Sequence, residues 1–85
     1  MSDDSEAAIA DMLMALAHRR GRDKSFCPSE AARALFDEAH WRHHMDDVRR
    51  VARDLARQGR LEMLARGRPL SPDVAHRGPI RLRLG

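Results

Sequence analysis

Residues 77–85 read RGPIRLRLG, and their alternation decides the fold. Ile80, Leu82 and Leu84 fall on one face of an extended strand and Arg81 and Arg83 on the other, because side chains along a strand alternate at period two. One face requires a core; the other requires water, acid or phosphate. A strand needs a partner, and RLEMLAR at 60–66 is a second short alternating run. Between the two lies GRPLSPDVAHRG (67–78), rich in Gly and Pro and without periodicity, so the pair reads as a hairpin with a long tip.

Upstream of the hairpin the period changes to that of helices. WRHHMDDVRRVARDLARQG (41–59) is the longest helical signal, with Met45, Val48, Ala52, Leu55 and Ala56 as its apolar stripe and Gly59 as its end. Two starts are open: the helix runs back through Trp41, or Asp46 caps it and Trp41 to Met45 make a separate turn. CPSEAARALF (27–36) reads as a second helix, with Cys27 at the N-cap, Pro28 at the first helical position and Glu30 at the capping-box position. Residues 5–20 read as a first helix on Ile9, Met12, Leu13, Leu16 and Ala17, with acids at its front, bases at its back and Gly21 as a left-handed cap. The intervening GRDKSFC is a loop with room for a very short strand at Ser25 to Cys27, and residues 1–4 are expected to be disordered.

Helix, short strand, helix, helix, strand, loop, strand is the order of a winged helix-turn-helix. The expected fold is therefore mainly α with a small β-hairpin: three helices and a C-terminal two-stranded wing in a single domain over 1–85, since 85 residues suffice for one small core. Leu13, Leu16, Leu35, Trp41, Val48, Leu55, Leu61, Ile80 and Leu82 are the expected core.

The segments CPSEAARAL, WRHHM, VRRVARDLARQGRLEM and RGPIRLRL together resemble a family of short, mostly bacterial domains of unknown function, the one numbered 3253, from the first helix to the end of the chain. CPSE and RGPIR are the specific parts. Family members often carry proline where this chain has Asp46. The resemblance implies a winged-helix fold and brings no activity, substrate or catalytic residue.

Charge is unevenly spread. Residues 1–17 hold Asp3, Asp4, Glu6 and Asp11 and no base, whereas all 16 Lys and Arg stand in residues 18–85 against the other 9 acids, a net of +7 there. Fifteen of the 16 are arginine, a bias that GC-rich coding produces by itself, so position has to carry the argument. On the third helix Arg42, Arg49, Arg50, Arg53 and Arg57 lie off the apolar stripe, and Arg50, Arg53 and Arg57 share one face. That face can contact phosphates or guanine edges of duplex DNA. It can equally be a solvated surface in which Asp46 pairs with Arg50 and Asp54 with Arg57. In the wing, Arg66, Arg68, Arg77, Arg81 and Arg83 have only Glu62 and Asp73 as neighbouring acids, so the hairpin is poorly self-neutralised and suited to a phosphate track. The alternative for Arg81 and Arg83 is protection of an edge strand.

Other chemistries find little support. His40, His43 and His44 sit at helical spacing, but a zinc site needs three or four ligands and Cys27 is the only soft candidate to join them, so no metal or cofactor is expected. Trp41 reads as a core plug between the second and third helices. One cysteine excludes an internal disulfide and fits a reducing, cytoplasmic setting. The start MSDDSEAA is acidic, and MLMALA is far too short to span a bilayer. With no glycine-rich phosphate loop and no nucleophile–base pair, an enzyme is not expected. Two binding functions are: duplex DNA through the third helix and wing, or a protein partner or second copy on the third helix or the apolar side of the first.

Overall fold

The computed structural model describes residues 2–85, with side chains from Ser5 onward. Helix α1 spans Ser2–Arg20, starting earlier than the apolar periodicity predicts. The expectation of disorder at residues 1–4 concerns Met1, which lies outside the described residues, and three residues described only as backbone, in the first turn of α1. Ile9, Leu13, Leu16 and Ala17 are buried on its inner face. Gly21, at φ +77°, closes the helix in the left-handed conformation, its N–H donating to Ala17 O at 2.9 Å.

Helix α2 covers Pro28–Leu35, and its start follows from the CPSE sequence. Pro28 has no N–H to leave unsatisfied. Glu30 closes the turn from both ends: its backbone N–H donates to Cys27 O at 2.9 Å, and its carboxylate Oε2 accepts the Cys27 N–H at 3.1 Å. Arg20 of α1 donates to the same carboxylate, tying the two helices together. Partial burial works against ionisation of Glu30. The bonds from Arg20 and Cys27, with the charges of Arg20 and Arg81, outweigh it and hold the carboxyl below its ordinary range. A carboxylate depressed in the folded state adds stability above its unfolded value of 4.5, and that stability is lost as pH falls through the folded value. Replacing Glu30 by glutamine should therefore lower the melting temperature at neutral pH, with the gap from wild type closing as the pH drops below about 4.5. A gap of constant size down to pH 2 would show that ionisation of Glu30 adds nothing.

After α2 the chain turns on Asp37, whose carbonyl accepts the N–H groups of His40 and Trp41 at 3.1 and 3.0 Å. A short 3-10 turn, Trp41–His44, then leads into α3, Met45–Arg57. Of the two starts left open by the sequence, the separate turn is the one adopted, but Asp46 is not its cap: His44 holds that position and Asp46 stands in the first turn of α3. Burial explains this. A tight turn lets the Trp41 ring enter the core between α2 and α3, where the side chain is only 7 % exposed. Val48, Val51, Ala52 and Leu55 form the buried face of α3.

The three remaining elements are β1 (Leu61–Ala65), β2 (Arg68–Leu70) and β3 (Arg81–Leu84), in one antiparallel sheet of order β2-β1-β3. The expected pairing of the two alternating runs is present, with Met63 opposite Leu82 and Glu62 opposite Arg83. The expected two-stranded wing is corrected to three strands, because β2 folds back on β1 immediately after residues 66 and 67. Both residues of that turn have positive φ, Arg66 at 53° and Gly67 at 79°, the geometry that matches the twist of a tight hairpin. Pro69 is tolerated because β2 is an edge strand. The short strand at Ser25 to Cys27 is a single bridge: Phe26 and Leu82 exchange two backbone bonds of 2.8 Å, so β3 is held between β1 and Phe26.

The result is three helices packed on one face of a small sheet, a winged-helix-like arrangement. Every expected core residue is buried except Leu35, which is half-buried against the core; Ile9, Phe26 and Met63 join as fully buried members. Leu64 is buried on the opposite face of the sheet, flanked in register by Pro69 and Arg81. An arginine stem beside it covers apolar surface while its head stays in water.

Candidate nucleic-acid interface

The solvent face of α3 carries Asp46, Arg50, Arg53 and Arg57 at spacings of three and four, opposite its buried stripe. Tertiary packing engages most of its charge. Arg50 donates to Glu6 of α1 and to Asp47 at 3.0 Å, in place of the Asp46 partner that spacing suggests. The hydrogen bond to Glu6 first, then that to Asp47, hold this guanidinium still further into its charged range. Arg57 makes the expected bond to Asp54, at 3.0 Å, and a second to Asp73 of the loop after β2, at 2.9 Å. Arg53 is half-buried, its Nε without a hydrogen-bond partner among the described residues. Arg42 lies over the Trp41 ring, 4.5 Å from its centroid, as does Arg33 of α2. Arg49 is exposed and has no carboxylate partner among the described residues.

The wing is different. Arg66 occupies the β1–β2 turn, Arg68 begins β2 and Arg77 lies in the loop entering β3; all three are exposed, and among the described residues none pairs with a carboxylate. Of the two arginines on β3, Arg83 is neutralised by Glu62 directly opposite on β1. Arg81 is held by the α1–α2 loop, its Nε donating to Ser25 Oγ at 2.7 Å and its Nη2 to Ser25 O at 2.9 Å. The outer edge of β3 is paired at Leu82 by Phe26.

Two concavities flank the wing. The larger, about 750 Å³, lies between the end of α3 and the sheet and has Asp23 and Glu62 in its wall. The smaller, about 520 Å³, lies between the β1–β2 turn and the loop before β3; Arg66, His76, Arg77 and Arg81 line it with Gly67, Gly78 and Pro79, and no carboxylate does. The second is the one whose chemistry attracts anions. Of the ten arginines that the sequence singles out, Arg66, Arg77 and Arg81 are thus brought together, whereas Arg50, Arg57 and Arg83 are spent on internal pairs. His76 and Ser25 were not legible as members of the site, because a loop without periodicity gives no register from which to place them.

The histidine cluster is engaged locally. His40 Nδ1 bonds Asp37, and the His44 ring stacks on Phe36 at 3.7 Å between centroids. Among the described residues no three His, Cys, Asp or Glu side chains are grouped to hold a metal ion. Untagged protein dialysed against a weak chelator should carry no zinc or nickel by elemental analysis; one retained equivalent would overturn this. Cys27 is half-buried at the start of α2 and accepts a hydrogen bond from Ser29 Oγ at 3.1 Å. No described helix is long and apolar enough to cross a membrane.

Compared with known proteins, the chain is matched over residues 6–85 by the model of a family described as a protein of unknown function, DUF3253. No curated protein matches it.

Proposed function

Because the chain belongs to the DUF3253 family, whose description assigns no activity, we propose a function from its own surface: it binds duplex DNA by the phosphate backbone, chiefly through the wing. The observation that carries this reading is the contrast between the two arginine sets. Arg66, Arg68 and Arg77 have no carboxylate partner among the described residues, while Arg50 and Arg57 each have two. An unpaired exposed guanidinium keeps its full attraction for phosphate; a paired one must first give up its partner. Phosphate bonds of this kind fix position on the duplex and carry little sequence information. The domain therefore tolerates many sequences, with Arg50 and Arg57 of α3 held by carboxylates and Arg49 the one exposed arginine of that helix without a carboxylate partner among the described residues. It is a binding module without catalysis, and its lone thiol suits a reducing cytoplasm.

The paired Arg50 and Arg57 of α3 favour a second reading, in which the domain docks a protein or a second copy. Against it stands the surface itself: among the described residues Val74 is the only large hydrophobic side chain that is exposed, too little for an apolar docking stripe.

Fluorescence anisotropy with a random-sequence duplex at two salt concentrations tests the proposal. Arg66 and Arg77 line one concavity and share a phosphate, Arg68 meets another, and two phosphates at a slope near 0.9 each predict roughly 12-fold weaker binding at 200 mM salt than at 50 mM. Absence of binding at the lower salt would remove the nucleic-acid reading and leave protein interaction.

A further inference from the structure

We infer that the 520 Å³ cavity at the end of the wing is a seat for a single phosphate group, held by Arg66, His76, Arg77 and Arg81. The seat rests on the wing reading above only for its macromolecular source, a backbone phosphate; a phosphate on a small molecule is chemically the same ligand. Four features support it. Its charged and titratable lining residues come from three separate segments, the β1–β2 turn, the loop before β3 and β3 itself, and all are bases. Arginine forks match phosphate oxygens in pairs, which lysine or a lone histidine cannot do.

Arg81, moreover, is fixed before any ligand arrives. Its Nε and Nη2 are anchored on Ser25, leaving Nη1 without a partner among the described residues. A pre-set donor loses little freedom on binding. Finally, Gly67 and Gly78 leave the backbone accessible. A Cβ at Gly67 would meet nothing within 4 Å, and one at Gly78 would meet only His76 Nε2 at 3.9 Å, so an anion can approach the main chain between the arginines. The volume exceeds that of a phosphate alone and leaves space for part of the group that carries it.

The test is an NMR titration of the full chain with inorganic phosphate, against chloride at equal ionic strength. Phosphate should produce saturable shifts at the Gly67 and Gly78 amides and the His76 ring, and chloride should not. Arg66→Ala and Arg77→Ala should each weaken the saturation roughly tenfold or more, in proteins whose other amide shifts match wild type. A linear, chloride-like response overturns the seat, as does saturation that survives both substitutions. A duplex arm separates the two proposals. Competition between duplex and phosphate for the same three signals identifies the backbone as the source. Saturation by phosphate in a protein that binds no duplex keeps the seat, for a phosphorylated small molecule, and removes the DNA reading.

Discussion

A chain cut after Gly78 should show no cooperative thermal transition by circular dichroism. The cut removes Ile80 and Leu82, both buried, and half-buried Leu84. Burial of each full-sized aliphatic side chain is worth about 1.5–3 kcal/mol, and a small domain has only about 5 kcal/mol in total. The damage extends further, because β1 loses its partner along Leu61 to Leu64 and buried Phe26 loses both of its bridge bonds. Leu82→Ala isolates the packing part: the side chain is fully buried, and such truncations cost about 2–5 kcal/mol. That variant should melt far below wild type or be unfolded at 25 °C. A cut chain melting within a few degrees of the full one would mean that the sheet is dispensable, and the core assignment would fail with it.

Replacing Arg66, Arg68 and Arg77 together by alanine should weaken binding to all duplexes alike and flatten its dependence on salt. Each phosphate released lowers the slope of log affinity against log salt by about 0.9; with Arg66 and Arg77 sharing one phosphate and Arg68 meeting another, two lower it by about 1.8. The substituted residues are exposed and make no described ion pair, so the melting temperature should hardly change. Arg50→Ala with Arg53→Ala is the informative comparison. If α3 reads bases, that pair should relax sequence preference, by about 1–3 kcal/mol for each bidentate arginine–guanine pair removed. With Arg50 engaged by Glu6 and Asp47, the expected outcome is an almost unchanged slope and no preference to relax. A larger fall in affinity from the α3 pair than from the wing triple would transfer the binding surface to α3.

What the sequence made legible was set by the range of each interaction. Alternation at 61–66 and 79–84 placed β1 against β3, and the local CPSE pattern placed the start of α2, because both signals need only near neighbours. Strand β2 was hidden because Pro69 argues against a strand and Arg66-Gly67 lacks the Asn-Gly or Asp-Gly signature of a two-residue turn. Its existence depends on the edge position, which only the assembled sheet supplies. Among the ion pairs the same division holds. Asp54 with Arg57 is visible at a spacing of three, whereas Glu6 with Arg50 spans 44 positions and Asp73 with Arg57 spans 16. Those long-range pairs decide which arginines stay free. Position along the chain already favoured the wing, where few acids stand near the arginines; the long-range pairs add that Arg50 and Arg57 are engaged.

The bridge between Phe26 and Leu82 also bears on how the protein is made. A chain is synthesised from its N-terminus at about 5–20 residues per second, so α1, α2 and Phe26 leave the ribosome seconds before Leu82 does. The last strand to be made is also the one enclosed on both sides, between β1 and Phe26. Until it arrives, the sheet is only the β1–β2 hairpin, and Ile80 and Leu82 are missing from the core. The core therefore closes only once β3 has joined both β1 and Phe26.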